Sequence, residues 1–318
     1  MGKKYLVLLF IIILLVCVVS LTFIYSKDVR EVQIIKGSED KTNGYAIYTE
    51  DGDVLYTENL EVSNSILNNV IVKCNDFTVK NPIGIVDNPP NKSITDIKDM
   101  VLKSLESNDS ILIIYIDGLG YELYEESINL GYLPYISTLE KGAKALTVYP
   151  SITDVTFTSM VTGETPKYTG IHSRDKKKLE VDTIFDIASQ QGKSSKIIEG
   201  NMRIVIDEVE TVLNIDENKN DTIDDEIYET AMIELENPTD VLLVHFHSYD
   251  DFGHKYGPDS TQALKQLKVL DSYVENMVSK FSGKVIITSD HGMHNVGNGG
   301  EHGTFLSLDM FIPIIVKE

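Results

Sequence analysis

Four short apolar runs in the C-terminal part of the chain leave few choices of architecture: Ile111–Ile116, Val241–Phe246, Lys284–Thr288 and Phe311–Val316. Each is continuous rather than alternating, which is the pattern of a strand buried on both faces. Stretches of helical character lie between them, at Thr183–Gln190, Asp224–Leu235 and Thr261–Phe281. This alternation implies an α/β fold, a mainly parallel sheet with helices on both faces. Functional groups in such sheets gather beyond the carboxyl ends of the strands. Carboxylates stand there: Asp117 directly after the first run, Asp250 beyond the second and Asp290 beyond the third.

The N-terminal part reads differently. Residues 5–26 carry no charge and follow Lys3 and Lys4, so residues 1–26 are expected to form an uncleaved membrane anchor across a core of roughly 30 Å, with the rest of the chain extracytoplasmic. A cleaved signal peptide competes with this reading, but Val18-Val19-Ser20 is a poor cleavage site and the apolar run continues to Ile24. Residues 27–108 form a small β-rich region with a linker helix. In it Asp51-Gly52 marks a hairpin between Ala46–Thr49 and Val54–Thr57, Asn88-Pro89-Pro90-Asn91 marks a linker, and Ser93 is read as the cap of a helix running to Leu105. Residues 109–318 are the expected α/β domain that carries the four apolar runs. Beyond the anchor Cys74 is the single cysteine, so no internal disulfide is available there. The formal charge of −21 argues against a nucleic-acid groove. The acidic stretch Asp216–Glu226 fails as an EF-hand, because Asp221 replaces the turn glycine and Ile227 the bidentate glutamate.

Metal-type ligands recur late in the chain, in Asp250-Asp251-Phe252-Gly253-His254, Ser289-Asp290-His291-Gly292-Met293 and His302-Gly303. Carboxylate and neutral imidazole together suit a borderline ion such as zinc. Asp117, Asp290 and His291 can serve one ion. Asp250 and His254, four residues apart, meet on one face if the chain turns helically there, and His302 completes a second set. Three ligands per ion leave an open position, the arrangement of a reactive site. A hydroxyl could occupy it from Tyr149–Gly163, read as a turn after a strand at Leu146–Tyr149 that leads into a helix. Taken alone, this segment is read with Ser151 or Thr153 simply capping the helix.

The order of motifs is more specific than any one of them. Asp-Gly after a strand, Pro-Ser-x-Thr ending in Thr-Gly, Asp-x-x-x-His-x-x-Gly-Pro, Ser-Asp-His-Gly-Met and then His-Gly resembles the alkaline phosphatase superfamily, and within it the type I phosphodiesterase and nucleotide pyrophosphatase branch. The resemblance covers about Ile111 to Val316. It implies an alkaline phosphatase-like domain with two divalent ions, zinc fitting the ligands. Asp117, Asp290 and His291 would hold the ion that also binds the nucleophile Thr153, and Asp250, His254 and His302 the other. Thr153 would attack phosphorus and form a phosphothreonine. Thr156 stands where many relatives carry an asparagine that contacts a phosphate oxygen. His245 and His247 are read as structural or supporting residues rather than ligands, and His294 as a rim residue.

From Met293 to His302 is only nine positions, too few for the long cap found there in many nucleotide pyrophosphatases. The expectation is a membrane-anchored phosphohydrolase acting on phosphodiesters. Phosphoethanolamine-type headgroup transfer is the enzymatic alternative. A catalytically silent surface binding protein is the alternative from another class.

Overall fold

The computed structural model describes residues 31–38, 44–64, 69–174, 178–204 and 208–318. The anchor expected at residues 1–26 lies outside them. Among the described residues no helix is long and apolar enough to cross a membrane.

The N-terminal part consists of β1 (Gln33–Lys36), β2 (Tyr45–Tyr48), β3 (Val54–Thr57), β4 (Leu60–Asn64), β5 (Val70–Cys74), β6 (Thr78–Lys80) and β7 (Gly84–Asp87). They make a four-stranded sheet in the order β1-β7-β2-β3 and a three-stranded sheet β4-β5-β6. The Asp51-Gly52 hairpin joins β2 to β3, with Gly52 at φ 82°, a backbone that side chains resist. Tyr48 on β2 is 2% exposed, and its hydroxyl donates to the Thr147 carbonyl at 2.8 Å. Ile35, Ala46, Tyr48 and Val86 belong to the same apolar cluster as one face of the large sheet, so the two sheets share a core.

The chain enters the large sheet through β8 (Lys92–Ser93) and α1 (Asp96–Glu106). Ser93 is therefore not a helix cap, because pairing of β8 with the later strand at Ala143–Leu146 draws it into the sheet. Half of the expected capping interaction survives, since Asp96 accepts from the Ser93 backbone N–H at 3.0 Å. Then come β9 (Ile111–Ile116), α2 (Tyr121–Asn129), β10 (Ala143–Leu146), α3 (Thr153–Thr162), α4 (Pro166–Thr169), α5 (Ile184–Gln190), β11 (Ser195–Glu199), β12 (Glu210–Leu213), α6 (Asp224–Glu234) and β13 (Val241–Phe246). The chain finishes with α7 (Ser248–Tyr256), α8 (Thr261–Lys280), β14 (Lys284–Thr288), the hairpin β15 (His294–Val296) and β16 (Gly299–Glu301), α9 (Ser307–Met310) and β17 (Phe311–Lys317).

The large sheet has eight strands in the order β12-β11-β13-β9-β14-β17-β10-β8. It is parallel except at β17, which runs antiparallel to both neighbours. The continuous apolar runs serve both faces. Leu112, Ile114 and Ile116 of β9 join one core cluster, while Ile111, Ile113 and Tyr115 join the other. The strand expected at Leu146–Tyr149 ends instead at Leu146. Beyond it the Thr147 backbone N–H donates to the Met310 carbonyl, and the Thr147 hydroxyl donates to the carbonyl of Asp290. Loss of the ladder there frees residues 147–152 to carry Thr153 across the sheet end.

Candidate active site

The carboxyl ends of β9, β13 and β14 deliver the ligands. Asp117 follows β9 directly, with its backbone N–H held by the Phe246 carbonyl at 3.0 Å. The next residue must be glycine. Gly118 lies at φ 78°, and a Cβ there would come within 2.9 Å of Asp250 Oδ1. Asp250 is placed by α7, whose N-terminal residues supply no capping side chain of their own. The cap comes from another helix: Asp224 at the start of α6 accepts from the backbone N–H groups of His247 at 2.8 Å and Ser248 at 2.9 Å. One helical turn then brings His254 Nε2 to 3.3 Å from Asp250 Oδ2. Asp290 and His291 follow β14, and Gly292 packs so tightly that a Cβ would collide with the Leu308 carbonyl. His302 arrives from the β15–β16 hairpin, the short connection that occupies the interval after Met293.

Three histidines are oriented alike. Nδ1 of His254 faces the Gly300 carbonyl at 2.8 Å, that of His291 the Gly292 carbonyl at 3.2 Å, and that of His302 the Ser151 carbonyl at 3.0 Å. A carbonyl only accepts, so each Nδ1 carries the proton. Each Nε2 turns towards a carboxylate. His291 Nε2 is 3.0 Å from Asp290 Oδ2 and 3.5 Å from Asp117 Oδ1, and His302 Nε2 is 4.0 Å from Asp250 Oδ1. The rings of His291 and His302 stack with centroids 3.7 Å apart.

The carboxylates are arranged to match. One oxygen of each aspartate is engaged. Asp290 Oδ1 accepts from the Gly118 N–H at 3.1 Å, Asp117 Oδ2 faces His245 Nε2 at 3.2 Å, and Asp250 Oδ2 faces His254. The other three, Asp117 Oδ1, Asp250 Oδ1 and Asp290 Oδ2, are buried with no hydrogen-bond partner. A buried carboxylate oxygen without a donor is strongly disfavoured unless a cation meets it. Burial together with the neighbouring Asp290 and Asp250 pushes Asp117 well above the usual carboxylate range. Burial acts the same way on Asp250, but its hydrogen bond with His254 and the nearby His291 and His302 outweigh it and hold Asp250 at about 2. His254 rises to about 9 through its hydrogen bond to Asp250, whereas burial and His291 push His302 down to about 4. Asp117, Asp290 and His291 form one cluster with ligand spacing, and Asp250, His291 and His302 another. His291 thus lies within reach of both sets. His254 adjoins the second through Asp250. Oxygen and imidazole donors in this number fit two divalent ions.

Thr153 opens α3 but does not cap it, and neither does Ser151. The cap position is Ile152 without a side-chain bond, and the Ser151 hydroxyl is directed to the Thr304 carbonyl at 3.4 Å. Thr153 Oγ1 instead lies 3.5 Å from His291 Nε2, inside the ligand cluster. Thr156 is not brought to it. Its hydroxyl is fully buried and sits on the helix carbonyls of Ile152 at 3.0 Å and Thr153 at 3.2 Å, which commits its single proton. His294 pairs with Asp309 at 2.8 Å, and Asp309 also accepts from the Thr304 backbone and hydroxyl, bracing the loop that follows His302. One buried residue went unread. Glu199, at the end of β11, bonds both His245 and His247. Its sequence signal was the one used for Asp117, a carboxylate that ends a buried strand and precedes a glycine.

The catalytic subunit of human GPI ethanolamine phosphate transferase 3 is 30% identical over 96 residues, which is 29% of this chain and 9% of that protein. GPI ethanolamine phosphate transferase 3 of Saccharomyces cerevisiae is 33% identical over 98 residues, or 29% and 10%. The chain therefore matches only about a tenth of the length of these curated relatives. Among solved structures, phosphonoacetate hydrolase from Sinorhizobium meliloti 1021 aligns with TM-score 0.48 and 17% identity over 58% of this chain and 57% of that one. Murine ectonucleotide pyrophosphatase/phosphodiesterase 5 aligns with TM-score 0.48 and 19% identity over 59% and 58%. The family model of type I phosphodiesterase / nucleotide pyrophosphatase matches residues 111–204 and 181–310, more than half of the 318-residue chain. The motifs on β9, α3, α7 and β14 all fall within that match, and the chain belongs to this family, a branch of the alkaline phosphatase superfamily.

Proposed function

We propose that the protein is a two-metal phosphodiesterase with Thr153 as its nucleophile. The observation that supports this most is the convergence beside Thr153 Oγ1 of three buried carboxylate oxygens without donors and three imidazoles whose Nδ1 atoms are committed to carbonyls, which leaves Nε2 of each turned to the cluster. Asp117, Asp290 and His291 would hold one ion next to Thr153, and Asp250, His254 and His302 the second. When bound, such ions neutralise charge on the phosphoryl oxygens and on the attacking and leaving oxygens. The chain supplies the rest. The start of α3 directs helix N–H groups at an anionic phosphate. Thr153 Oγ1 bonds phosphorus as the bond to the leaving alkoxide breaks, and an incoming hydroxyl then takes the phosphoryl group and restores the threonine. The Ser151 carbonyl and Asp309 hold the His302 loop in place throughout.

The identity of that incoming hydroxyl separates two readings. Water makes the enzyme a hydrolase. An acceptor alcohol makes it a transferase of phosphoethanolamine-type headgroups, a reading favoured by the names of the curated relatives. The deciding assay uses the full chain in detergent, reloaded with defined divalent ions, on mono- and diester phosphates with and without an alcohol acceptor. Metal-dependent diester cleavage that vanishes in Thr153→Ala is the expected result. Product phosphoester of the added alcohol would select transfer. A fully metallated chain inert towards every phosphoester would leave only a silent binding protein. We also propose that residues 1–26 anchor the chain, with the catalytic face outside the membrane, and a protease-protection assay on vesicles checks this.

A further inference from the structure

The chain meets its proposed anchor at one particular end of the fold. Strand β1 begins at Gln33, whose register partner on β7 is Gly84. Gly84 packs against the ring of Phe305, three residues beyond His302, and Tyr48 of the same sheet bonds the Thr147 carbonyl just past the end of β10. The start of β1 therefore lies at the end of the molecule where the candidate ligands gather. Only residues 27–32 separate it from the uncharged run that closes at Ser26. Six residues reach about 20 Å when fully extended. A globule of this length is roughly 50 Å across, so the tether is too short to bring the opposite end of the sheet to the membrane.

The same end carries an uncovered apolar patch. β11 and β12 run parallel with Glu199 opposite Leu213, so Met202 and Ile215 leave the two strands at neighbouring places. Met202, Leu213 and Ile215 are between 46% and 60% exposed. β12 is the outer strand of the large sheet, and β10 stands six strand spacings away, about 29 Å. The tether thus meets this end on the β10 side and the patch occupies the far edge, with Asp117, Asp250 and Asp290 at the strand ends between them. Val296, half exposed on the hairpin that leads to His302, adds to the same end. Large apolar side chains grouped and exposed in this way mark a contact surface. Supports on both sides of the site fit one flat partner, the bilayer to which the tether leads.

We propose that the end formed by the carboxyl ends of β9, β11, β13 and β14 rests on the outer surface of the membrane that holds the anchor, with Met202, Leu213 and Ile215 entering the headgroup layer. This orientation depends on the anchor proposed for residues 1–26 and not on Thr153 being a nucleophile. Asp216 and Glu217 directly follow Ile215, and the formal charge of −21 opposes an anionic surface. The contact is therefore apolar and favours zwitterionic headgroups. The candidate site then faces the headgroup layer.

The chain contains no tryptophan, so a single one reports its own surroundings. The test places Trp at Ile215 or, as the control, at Ile233, which is 72% exposed near the end of α6, the helix that leads to the start of β13 at the opposite end of the sheet. The full chain is reconstituted in phosphatidylcholine vesicles with and without bromine near the headgroup end of the acyl chains. Ile215→Trp should lose emission to the bromines and shift to shorter wavelength, and Ile233→Trp should do neither. Met202→Trp repeats the comparison if Ile215→Trp does not fold. Anionic lipid at low ionic strength should weaken the quenching. Vesicle-bound chain in which neither probe is quenched, or in which Ile233→Trp is quenched as much or more, overturns the proposal and leaves the anchor standing. A chain that does not float with the vesicles removes the anchor and this orientation together. An Ile215→Trp shift that persists in detergent and accompanies a dimer on gel filtration would give the patch to a second copy, and the membrane contact falls.

Discussion

Thr153 and His254 carry the sharpest expectations at the level of single residues. Thr153→Ala removes the hydroxyl 3.5 Å from His291 Nε2 while leaving the helix without loss of a cap, because Thr153 caps nothing. Diester turnover should fall by on the order of 10³-fold or more with the unfolding midpoint nearly unchanged; a variant that retains cleavage rules out the nucleophile. His254 brings the pH dependence. Its hydrogen bond to Asp250 raises it to about 9, so below that pH a proton occupies Nε2 and must leave before an ion can take its place. Apparent affinity for that ion should strengthen with rising pH by up to about tenfold per unit and level off above about 9. Chelator competition at a series of pH values measures this, and a flat profile would remove His254 from the ligand set. The ligand types and their order were legible in the chain because each follows a recognisable strand end. The orientation of each imidazole was not, since the carbonyls that set it come from Gly300 in β16, from Gly292 beside His291 and from Ser151 ahead of α3.

At the level of elements, two long-range contacts hold the ligand-bearing segments. Asp224 on α6 caps α7 from outside, so Asp224→Ala leaves two N–H groups unpaired at the helix that carries Asp250 and His254. A loss of about 1–3 kcal/mol in chemical denaturation is expected, together with weaker ion binding at the Asp250 site; an unchanged midpoint would mean that the cap contributes nothing. The second contact joins the N-terminal sheet to the site. Tyr48 donates to the Thr147 carbonyl, the Thr147 hydroxyl donates to the carbonyl of Asp290, and the Tyr48 ring meets Phe305 edge-on at 5.0 Å. Tyr48→Phe should cost about 1 kcal/mol through the lost hydrogen bond, and Tyr48→Ala roughly 3–5 kcal/mol through the cavity as well. Most of the regular elements were readable: β9, β13, β14 and α8 fall where continuous apolar runs or helical periodicity place them. The misplaced elements are those decided by partners. Ser93 became strand because β10 pairs with it, and β10 stopped at Leu146 because Thr147 bonds the loop after β14 and the last residue of α9.

Across the whole molecule, the N-terminal sheet and the large sheet share one apolar cluster, which contains Ile35, Ala46, Tyr48 and Val86 together with Phe305 of the His302 loop. Gly84 approaches the Phe305 ring so closely that any side chain there would collide with it. Removal of residues 1–91 should therefore expose Phe305 and the Thr147 carbonyl, abolish cooperative unfolding and loosen the His302 loop. Circular dichroism melts of the truncated and full chains would show this, and a truncated chain with an intact sharp transition would show that the small sheet is dispensable. By itself, the sequence determined the α/β class, the strands buried on both faces and the protein family. Those follow from local periodicity and from short motifs whose chemistry is carried by residue type. Only the tertiary structure decided which oxygens of Asp117, Asp250 and Asp290 remain without donors, that Thr156 is committed to its own helix, and that Glu199 and two histidines gather behind Asp117. Each of these depends on atoms brought together from segments far apart in the chain or on the local path of the backbone, and hydropathy patterning records neither.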